Sequence, residues 1–359
     1  MAPALTVREA ARILAQGGLV AFPTETVYGL GADARNPDAV LRIFAAKNRP
    51  SFNPLICHLP DAGSVFRFGR ESENARKLAE FWPGPLTLLL PHEGRIPSVV
   101  TAGSPLCGFR VPRHPIAREL LALVAGPIAA PSANKSGRVS PVTAAMVQSQ
   151  LGRDIDGLLD GGPCKIGLES TVILPEENFL RILRPGAVTR EELEERGFTI
   201  RDEPGEEMES ESESENKGAP LSPGRLSAHY APAVPLALTT KTDPLRPDDR
   251  DAVKEACSAA GLNARRLCLL GFGPEEDSSS PDLFNLSRQG DLLEAARNLF
   301  AFFDRADNEG FDLILARTLP DRGLGRAIND RLRRAARFLV HFSPNAVRVE
   351  IVRKEGFSG

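Results

Sequence analysis

The sequence lacks the features that would direct it to a membrane or to a polyanionic surface. No run of apolar residues approaches the roughly 20 that span a bilayer, and residues 1–8 lack the basic stretch and apolar core that open a signal peptide. The formal net charge is only -3, so no polybasic excess favours nucleic acid or a lipid surface. These absences predict a soluble, cytoplasmic protein without a membrane partner.

Cysteine is scarce, and the familiar catalytic motifs are missing. The five cysteines never form a C-x-x-C pair, which argues against a zinc ribbon or a secreted disulfide framework. We predict that they are reduced and mostly packed. The chain contains no P-loop, no G-x-G-x-x-G fingerprint, no H-E-x-x-H and no G-x-S-x-G elbow. A catalytic site in this chain is therefore built in another way.

One segment differs in composition from the rest of the chain. From Asp202 to Glu215 there are eight carboxylates and no basic residue, interleaved mainly with Ser, Gly and Pro. Such a segment cannot bury enough apolar surface to order itself, so it predicts a solvated boundary between domains. We expect a first domain over residues 1–201, an acidic segment and linker over 202–232, and a second domain over 233–359.

Helix and strand signals alternate before this boundary. Thr6 with Glu9 forms a capping-box pattern that opens one helix, and Asn36 followed by Pro37 opens a second helix that ends near residue 46. Short apolar runs predict strands over residues 19–22, 55–59, 86–90, 126–130, 157–159 and 171–174. This alternation predicts an α/β fold with a twisted mixed sheet.

A second set of alternating signals follows the acidic segment. Strands are predicted over residues 235–239, 266–270, 312–315 and 347–352, and helices over 252–260, 292–303 and 328–336. This rhythm predicts a smaller, Rossmann-like parallel sheet. No phosphate loop is visible there, so a structural or linker-docking role and a second ligand site both stay open.

Polar residues stand near the ends of predicted strands and helices in the first domain, where open α/β sheets bind their ligands. They are Thr24, Lys47, Arg49, His58, Arg110, Ser132 and Asn134. Each has a structural alternative: Lys and Arg complement a helix dipole, a His between apolar residues packs in the core, and Ser and Asn favour turns. Together, however, a lysine, an arginine, a hydroxyl and an amide predict an anion site that could hold a triphosphate.

An ordered series of motifs resembles the YrdC/Sua5 family. In the first domain the motifs are Phe22-Pro-Thr-Glu-Thr-Val-Tyr-Gly-Leu-Gly31, Lys47-Asn-Arg49-Pro50, Asn53-Pro-Leu-Ile56, Trp82-Pro-Gly-Pro-Leu-Thr87, Val99-Val-Thr-Ala-Gly103, Phe109-Arg-Val-Pro112, Ala130-Pro-Ser-Ala-Asn134, Glu169-Ser-Thr171 and Leu183-Arg-Pro-Gly186. Further along, they are Leu221-Ser-Pro-Gly224, His229-Tyr-Ala-Pro232 and Gly323-Leu-Gly-Arg-Ala-Ile-Asn-Asp330. The chain therefore resembles the longer, two-domain Sua5 type.

The resemblance implies a role for each matching residue. Catalysis and phosphate binding would fall to Lys47, Arg49, Ser132 and Asn134, and further ATP contacts to Asn53, Thr101, Ser140, Arg184 and Tyr230. Positions around L-threonine would be Thr24, His58, Arg110 and Ser170. Tyr230 and its neighbours would form a lid. No protein ligand for a metal and no catalytic cysteine are expected.

The family's reaction joins L-threonine, bicarbonate and ATP into threonylcarbamoyl-AMP and diphosphate. The product serves N6-threonylcarbamoyladenosine formation in tRNAs that read ANN codons, so the resemblance implies Mg2+ with the ATP, a downstream tRNA threonylcarbamoyl transferase and only indirect contact with tRNA. We expect a monomer. An RNA-binding or ribosome-associated YrdC-fold module is the alternative. Carbamoyl-adenylate chemistry of the hydrogenase-maturation type is a third possibility, although the paired cysteines found in those proteins are missing here.

Overall fold

The computed structural model describes residues 1–201, 230–239, 241, 243–245, 247–274, 282–343 and 346–352. The acidic segment and most linker motifs lie outside the described residues, so the three predicted domain ranges stay a prediction. The chain divides into two compact units. The N-terminal unit contains Met1–Ser136, Thr143–Cys164 and the described residues from Glu169 to Arg201. The C-terminal unit contains Gly137–Val142, Lys165–Leu168 and the described residues from Tyr230 onward.

The described part of the N-terminal unit is built on a mixed sheet of nine strands. The strands are β1 (Val20–Phe22), β2 (Gly29–Asp33), β3 (Ile56–His58), β4 (Leu86–Pro91), β5 (Leu106–Arg110), β6 (Ile128–Ala129), β7 (Gly157–Leu158), β8 (Thr171–Pro175) and β9 (Leu180–Arg184). Their order is β7-β1-β2-β6-β3-β5-β4-β8-β9, and the pairs β1–β7, β3–β5 and β4–β8 are parallel. The mixed sheet confirms the predicted fold class of this unit.

Most helices of the N-terminal unit begin after a residue whose side chain caps the first turn. They are α1 (Val7–Ala15), α2 (Pro37–Lys47), α3 (Ala62–Phe66), α4 (Glu73–Leu78), the 3-10 helix Ala79–Phe81, α5 (Ser98–Thr101), α6 (Pro115–Leu123), α7 (Ala144–Leu151) and α8 (Arg190–Glu195). Both halves of the Thr6–Glu9 capping box are present, and Asn36 Oδ1 accepts from the backbone N–H groups of Asp38 and Ala39 at 3.1 and 3.2 Å. The two predicted helix starts are confirmed.

Three strands of this sheet, β2, β5 and β9, were not predicted from the apolar runs. In β2, glycine weakens the strand signal but permits a close approach. A Cβ on Gly31 would lie 2.8 Å from both the Phe22 ring and Ile128 Cγ2. The glycine therefore lets β1 and β6 pack against β2. Phe22 and Ile128 belong to a buried cluster with Leu14 and Leu120, which joins α1 and α6 to the sheet.

The described part of the C-terminal unit is a six-stranded sheet in the order β12-β11-β13-β10-β14-β15. Its elements are β10 (Leu236–Thr239), α9 (Pro247–Ala259), β11 (Leu267–Gly271), β12 (Leu283–Asn285), α10 (Leu292–Glu309), β13 (Leu313–Arg317), α11 (Leu324–Ala335), β14 (Ala336–Ser343) and β15 (Ala346–Ile351). The first five strands are parallel, which confirms the Rossmann-like prediction, while β15 adds an antiparallel edge. The helix predicted to reach residue 336 ends at Ala335 because Ala336 already belongs to β14.

Two short segments from the first half of the chain belong to the C-terminal unit. The N–H of Ala231 donates to the Gly137 oxygen at 2.9 Å, and Arg297 Nε donates to the Lys165 oxygen at 3.0 Å. In the described ranges, every helix is too short or too polar to cross a membrane. The cytoplasmic location stays a prediction.

Candidate active site

Lys47, the last residue of α2, lies among oxygen atoms of the loop that contains Ser132 and Asn134. Its Nζ donates to the backbone oxygen of Ser132 at 2.6 Å and to that of Asn134, and it lies 3.4 Å from Asn134 Oδ1. The N–H of Ser136 donates to the Lys47 carbonyl at 2.8 Å and so ties the loop to the helix end. Three residues that the family resemblance assigns to the ATP phosphates are therefore brought together.

Burial and nearby charge make this position favourable for an anion. Lys47 is only 1% exposed. Its burial, together with the charges of Arg49 and Lys135, holds the pKa of Lys47 well below its usual range. Lys135 pairs with Asp154 at 2.8 Å. A phosphate group beside Lys47 would favour the charged form of the ammonium, so binding an anion would relieve this electrostatic cost.

Arg49 is clamped to the segment that follows it. Its Nη2 donates to Asn53 Oδ1 at 2.6 Å and to the Pro54 oxygen at 2.9 Å, while Nε donates to the Asn53 oxygen at 3.2 Å. Asn53 is fully buried, and its Nδ2 has no hydrogen-bond partner among the described residues. A buried donor without a partner costs about 1–3 kcal/mol, so Nδ2 is available for an acceptor that a ligand would bring.

Two further predicted ATP-site residues of this unit are Ser132, which follows β6, and Thr101, the last residue of α5. Ser132 is partly exposed and forms an isolated antiparallel bridge with Gly29. Thr101 is buried at the end of α5, and its hydroxyl donates to the Ser98 oxygen at 3.4 Å. The N–H of Leu55 donates to the Val100 oxygen at 2.8 Å, which joins α5 to the segment carrying Asn53.

A second group of polar side chains lies at the carboxyl ends of β3 and β5. These parallel strands pair His58 with Arg110 in register. Arg110 Nη2 donates to Glu25 Oε1 at 2.7 Å, and the side chains of Arg110 and Glu25 are only 5% and 6% exposed. Arg110 Nε is buried with no hydrogen-bond partner in the described parts of the chain. The site therefore contains a buried guanidinium whose Nε is left as a donor for a ligand.

His58 is a neutral neighbour of this guanidinium. Its Nδ1 lies 3.2 Å from the Ile56 oxygen, and its ring meets Phe22 edge-on with centroids 6.0 Å apart. Burial, reinforced by the charge of Arg110, lowers the pKa of His58 to about 3. The imidazole thus carries no charge near neutral pH.

Thr24 forms a tight turn instead of presenting a free hydroxyl. Its Oγ1 donates to the Val27 oxygen at 2.7 Å and accepts from the N–H groups of Thr26 and Val27 at 3.1 and 3.3 Å. It also lies 2.8 Å from the Thr26 hydroxyl. The turn therefore fixes the residue between the two threonines, which is Glu25.

Ser170 joins the neighbouring strands to this group. Its hydroxyl lies 2.8 Å from Thr87 Oγ1, and Thr87 pairs in register with Arg110. Arg184 donates from Nη2 to the Ser170 hydroxyl at 3.2 Å and from Nε to the Ser170 oxygen at 3.1 Å. The predicted threonine position at Ser170 is thereby linked to the predicted ATP position at Arg184.

The other two predicted ATP contacts, Ser140 and Tyr230, belong to the C-terminal unit. Tyr230 is fully buried there and adopts φ 64. Its ring stacks on Phe300 with centroids 5.9 Å apart, and the Arg331 guanidinium lies 5.1 Å from its centroid. The assignments of Ser140 and Tyr230 to ATP binding, and of Tyr230 to a lid, stay predictions.

Comparisons with known proteins identify relatives of this chain. A family model described as telomere recombination matches residues 12–186, and one described as threonylcarbamoyl-AMP synthase, C-terminal domain, matches residues 188–337. Threonylcarbamoyl-AMP synthases of Bacillus subtilis and Pyrococcus abyssi are 38% and 39% identical to this chain, covering 92% and 93% of it and 92% and 95% of their own lengths. The chain belongs to the threonylcarbamoyl-AMP synthase family.

A solved structure from this family has the same fold. The crystal structure of Pyrococcus abyssi Sua5 complexed with L-threonine matches with a TM-score of 0.81 and 38% identity, covering 94% of this chain and 96% of that one. The predicted membership of the YrdC/Sua5 family, in its two-domain form, is confirmed.

One residue of the family motif, Glu25, was not singled out from the sequence. It stands inside the quoted motif between Thr24 and Thr26, but its partner Arg110 is 85 residues away. Burial raises the pKa of Glu25, but the charge and hydrogen bond of Arg110 together with backbone hydrogen bonds outweigh it, so the pKa of Glu25 is lowered. A carboxylate in a buried motif was the signal that could have identified it.

The described residues of this family member contain no group of three or more His, Cys, Asp or Glu that could hold a metal ion. Mg2+ usually keeps several waters and binds through substrate phosphates with few protein carboxylates. The use of Mg2+ with ATP stays a prediction.

The cysteines are packing residues, as predicted. All five are free and buried. Burial raises the pKa of Cys164 to about 12 and holds that of Cys107 well above its usual range. Cys107 Sγ lies 3.7 Å from Cys57 Sγ across β3 and β5. Thiols with such raised pKa values are poor nucleophiles.

Proposed function

We propose that this chain makes threonylcarbamoyl-AMP and diphosphate from L-threonine, bicarbonate and ATP, for threonylcarbamoyladenosine formation in tRNA. The observation that carries the proposal is the similarity over more than nine-tenths of the chain to synthases of that name and to a structure complexed with L-threonine. A downstream tRNA threonylcarbamoyl transferase would consume the product. Threonylcarbamoyl-AMP is an activated intermediate, so another enzyme must transfer its acyl group.

In this proposal the polar residues around Lys47 bind the nucleotide. The ammonium of Lys47 and the guanidinium of Arg49 offset phosphate charge, while Ser132, Asn134 and the free donor of Asn53 bind phosphate oxygens. Thr101 and Arg184 provide further nucleotide contacts. Mg2+ enters with ATP and screens the remaining charge. Support comes from the contacts that join Lys47, Ser132 and Asn134 and from the unpartnered Nδ2 of Asn53.

The Arg110 group binds the amino acid. The Arg110 guanidinium donates a hydrogen bond to the threonine carboxylate from its buried Nε, which has no other partner among the described residues. His58 and Ser170 line the same pocket, and the neutral imidazole adds no charge that would attract a second anion. The turn at Thr24 completes the pocket wall.

The reaction then needs positioning more than a protein nucleophile. The threonine amine adds to CO2 derived from bicarbonate, which forms a C–N bond and gives an N-carboxylate with loss of a proton. That carboxylate attacks the α-phosphate of ATP, an O–P bond forms, and diphosphate leaves with the electrons of the broken O–P bond. The protein holds the two anionic reactants together and neutralises the charge that develops on phosphate oxygens.

The test is diphosphate release with MgATP and bicarbonate, comparing L-threonine, L-serine and no amino acid. We expect release that L-threonine stimulates and that Lys47→Ala and Ser132→Ala abolish. Lys77→Ala is the matched control because Lys77 is exposed and pairs with Glu73 on its own helix. A folded wild type without threonine-stimulated release would contradict the proposal, and salt-sensitive RNA binding by that protein would support the RNA-binding alternative.

A further inference from the structure

We infer that Glu25 is a positioning residue that fixes the Arg110 guanidinium for the carboxylate of the amino-acid substrate. The inference rests on the proposed function, because it concerns the same amino-acid pocket. It extends that proposal to a residue whose expected role is to act through Arg110 without itself touching threonine.

The contacts of Glu25 use both of its carboxylate oxygens. Oε1 accepts from Arg110 Nη2 at 2.7 Å, and Oε2 accepts from the backbone N–H of Arg113 at 2.9 Å. One carboxylate therefore links the guanidinium to the backbone just beyond the end of β5. Arg110 is held at Nη2, while its Nε remains a buried donor without a partner in the described residues.

The turn before β2 holds Glu25 in place. The Thr24 hydroxyl donates to the Val27 oxygen and accepts from the backbone N–H groups of Thr26 and Val27. Both threonines are buried, at 2% and 0% exposure, so the backbone around Glu25 has little freedom. The Thr24 turn thus helps to hold the Glu25 carboxylate toward Arg110.

This arrangement suits orientation better than simple charge attraction. Glu25 neutralises Arg110, and His58 beside it is uncharged. A carboxylate ligand is then bound mainly by a directed hydrogen bond from Nε, because the pocket has little net positive charge to attract it. Buried ion pairs are in themselves weak evidence for stability, so a positioning role gives this pair a reason to be retained.

The variants Glu25→Gln and Glu25→Asp test the inference. Glutamine keeps the size of the side chain but offers one oxygen where two donors must be satisfied, and aspartate keeps the charge but withdraws it by one methylene. We expect both to weaken L-threonine binding by about 10-fold or more, measured by calorimetry, with ATP binding within about two-fold of wild type. If Glu25→Gln does not fold, as judged by urea unfolding, Glu25→Asp carries the test.

The matched control is Asp33→Asn. Asp33 forms a similar close pair with Arg35, at 2.8 Å, but it lies at the surface end of β2 and outside the predicted amino-acid positions. Threonine binding by this variant should equal that of wild type. Equal or tighter threonine binding by both Glu25 variants would overturn the inference, because Glu25 would then be dispensable or would compete with substrate for Arg110.

A double-variant cycle separates positioning from a general loss of structure. If Glu25 acts through Arg110, Glu25→Gln should change threonine affinity less than about two-fold in an Arg110→Gln background. A full additive loss would overturn the inference. Because binding is measured without turnover, a wild type that binds threonine but releases no diphosphate would contradict the proposed function alone.

Discussion

At the scale of single residues, the two groups of the candidate site balance buried positive charge in different ways. Lys47 is surrounded by backbone and amide oxygens and has no carboxylate partner among the described residues, whereas Arg110 is paired with Glu25. A buried cation whose neighbours are only dipoles still attracts an anion by its charge. A cation that a carboxylate already neutralises binds an anion mainly through directed hydrogen bonds. The first arrangement suits a polyphosphate and the second suits a single carboxylate.

Arg49→Lys should weaken ATP binding selectively. A lysine cannot reproduce the fork that reaches Asn53 Oδ1 and the Asn53 and Pro54 backbone oxygens. We expect the KM for ATP to rise about 10-fold, equivalent to about 1.4 kcal/mol, at saturating L-threonine. Arg76→Lys, at an exposed arginine paired with Glu71, is the control. An unchanged KM for ATP in Arg49→Lys would contradict a role in nucleotide binding.

His58 should make the fold sensitive to acid. Its pKa is about 3 in the folded protein and about 6.5 in an unfolded chain, so below pH 6.5 the unfolded state binds a proton that the folded state does not. This cost is absent above pH 6.5 and grows as the pH falls from there toward 3. From pH 7.5 to 5.5 it lowers the free energy of unfolding by about 1.4 kcal/mol.

His58→Gln removes that titration. The difference in unfolding free energy between wild type and His58→Gln should therefore shift by about 1.4 kcal/mol between pH 7.5 and 5.5, measured by urea unfolding. Equal pH dependence of the two proteins would show that the imidazole does not stay neutral in the folded state.

At the scale of elements, the connection after β9 must pass very close to the segment before β8. A Cβ on Gly186 would lie 2.4 Å from the Thr171 nitrogen and 2.7 Å from the Glu169 oxygen, and both of these are backbone atoms. Backbone cannot yield as a flexible side chain does. This glycine therefore sets the position of Ser170 beside Thr87 and Arg184.

Gly186→Ala should destabilise the fold by about 1–3 kcal/mol, as overpacking in a filled interior does, and should also raise the KM for L-threonine by displacing Ser170. Urea unfolding and threonine-dependent diphosphate release would measure the two effects. Gly63→Ala is the control because its nearest atom, Asp61 Oδ1, would be 3.4 Å from the new Cβ. Wild-type stability and KM in Gly186→Ala would refute this account of the connection.

The elements that could be predicted were those with local signals. The caps at Thr6 and Asn36 lie beside the helices they open, and the apolar runs of β4 and β8 stand out in the sequence. By contrast, β2 is rich in glycine, and its place in the sheet depends on Phe22 and Ile128, which come from distant parts of the chain. A strand made by long-range packing leaves little trace in its own residues.

At the scale of the whole molecule, family motifs placed most of the candidate site, and geometry changed the interpretation of particular residues. Lys47 contacts Ser132 and Asn134, as expected. The Thr24 hydroxyl, however, bonds within its own turn, and the neighbouring Glu25 pairs with Arg110. A motif names residue types and their order. It does not say which side chain bonds to its own backbone and which reaches across the sheet.

The division into two units shows the same limit. Composition predicted a boundary at the acidic segment, which lies outside the described residues, but it did not predict the grouping of Gly137–Val142 and Lys165–Leu168 with the C-terminal unit. Those segments join it through contacts between residues far apart in the sequence, such as the Arg297 bond to the Lys165 oxygen. The monomeric state and the transferase partner stay proposals at this scale.

The most direct test of the central claim is to identify the product made from isotope-labelled bicarbonate, L-threonine and MgATP by mass spectrometry. We predict a nucleotide product that contains one AMP, one threonine and the labelled carbon, formed by wild type and Asp33→Asn and lost in Lys47→Ala. A threonine–AMP product without the label, or no nucleotide product from folded wild type, would contradict the claim that this chain makes threonylcarbamoyl-AMP.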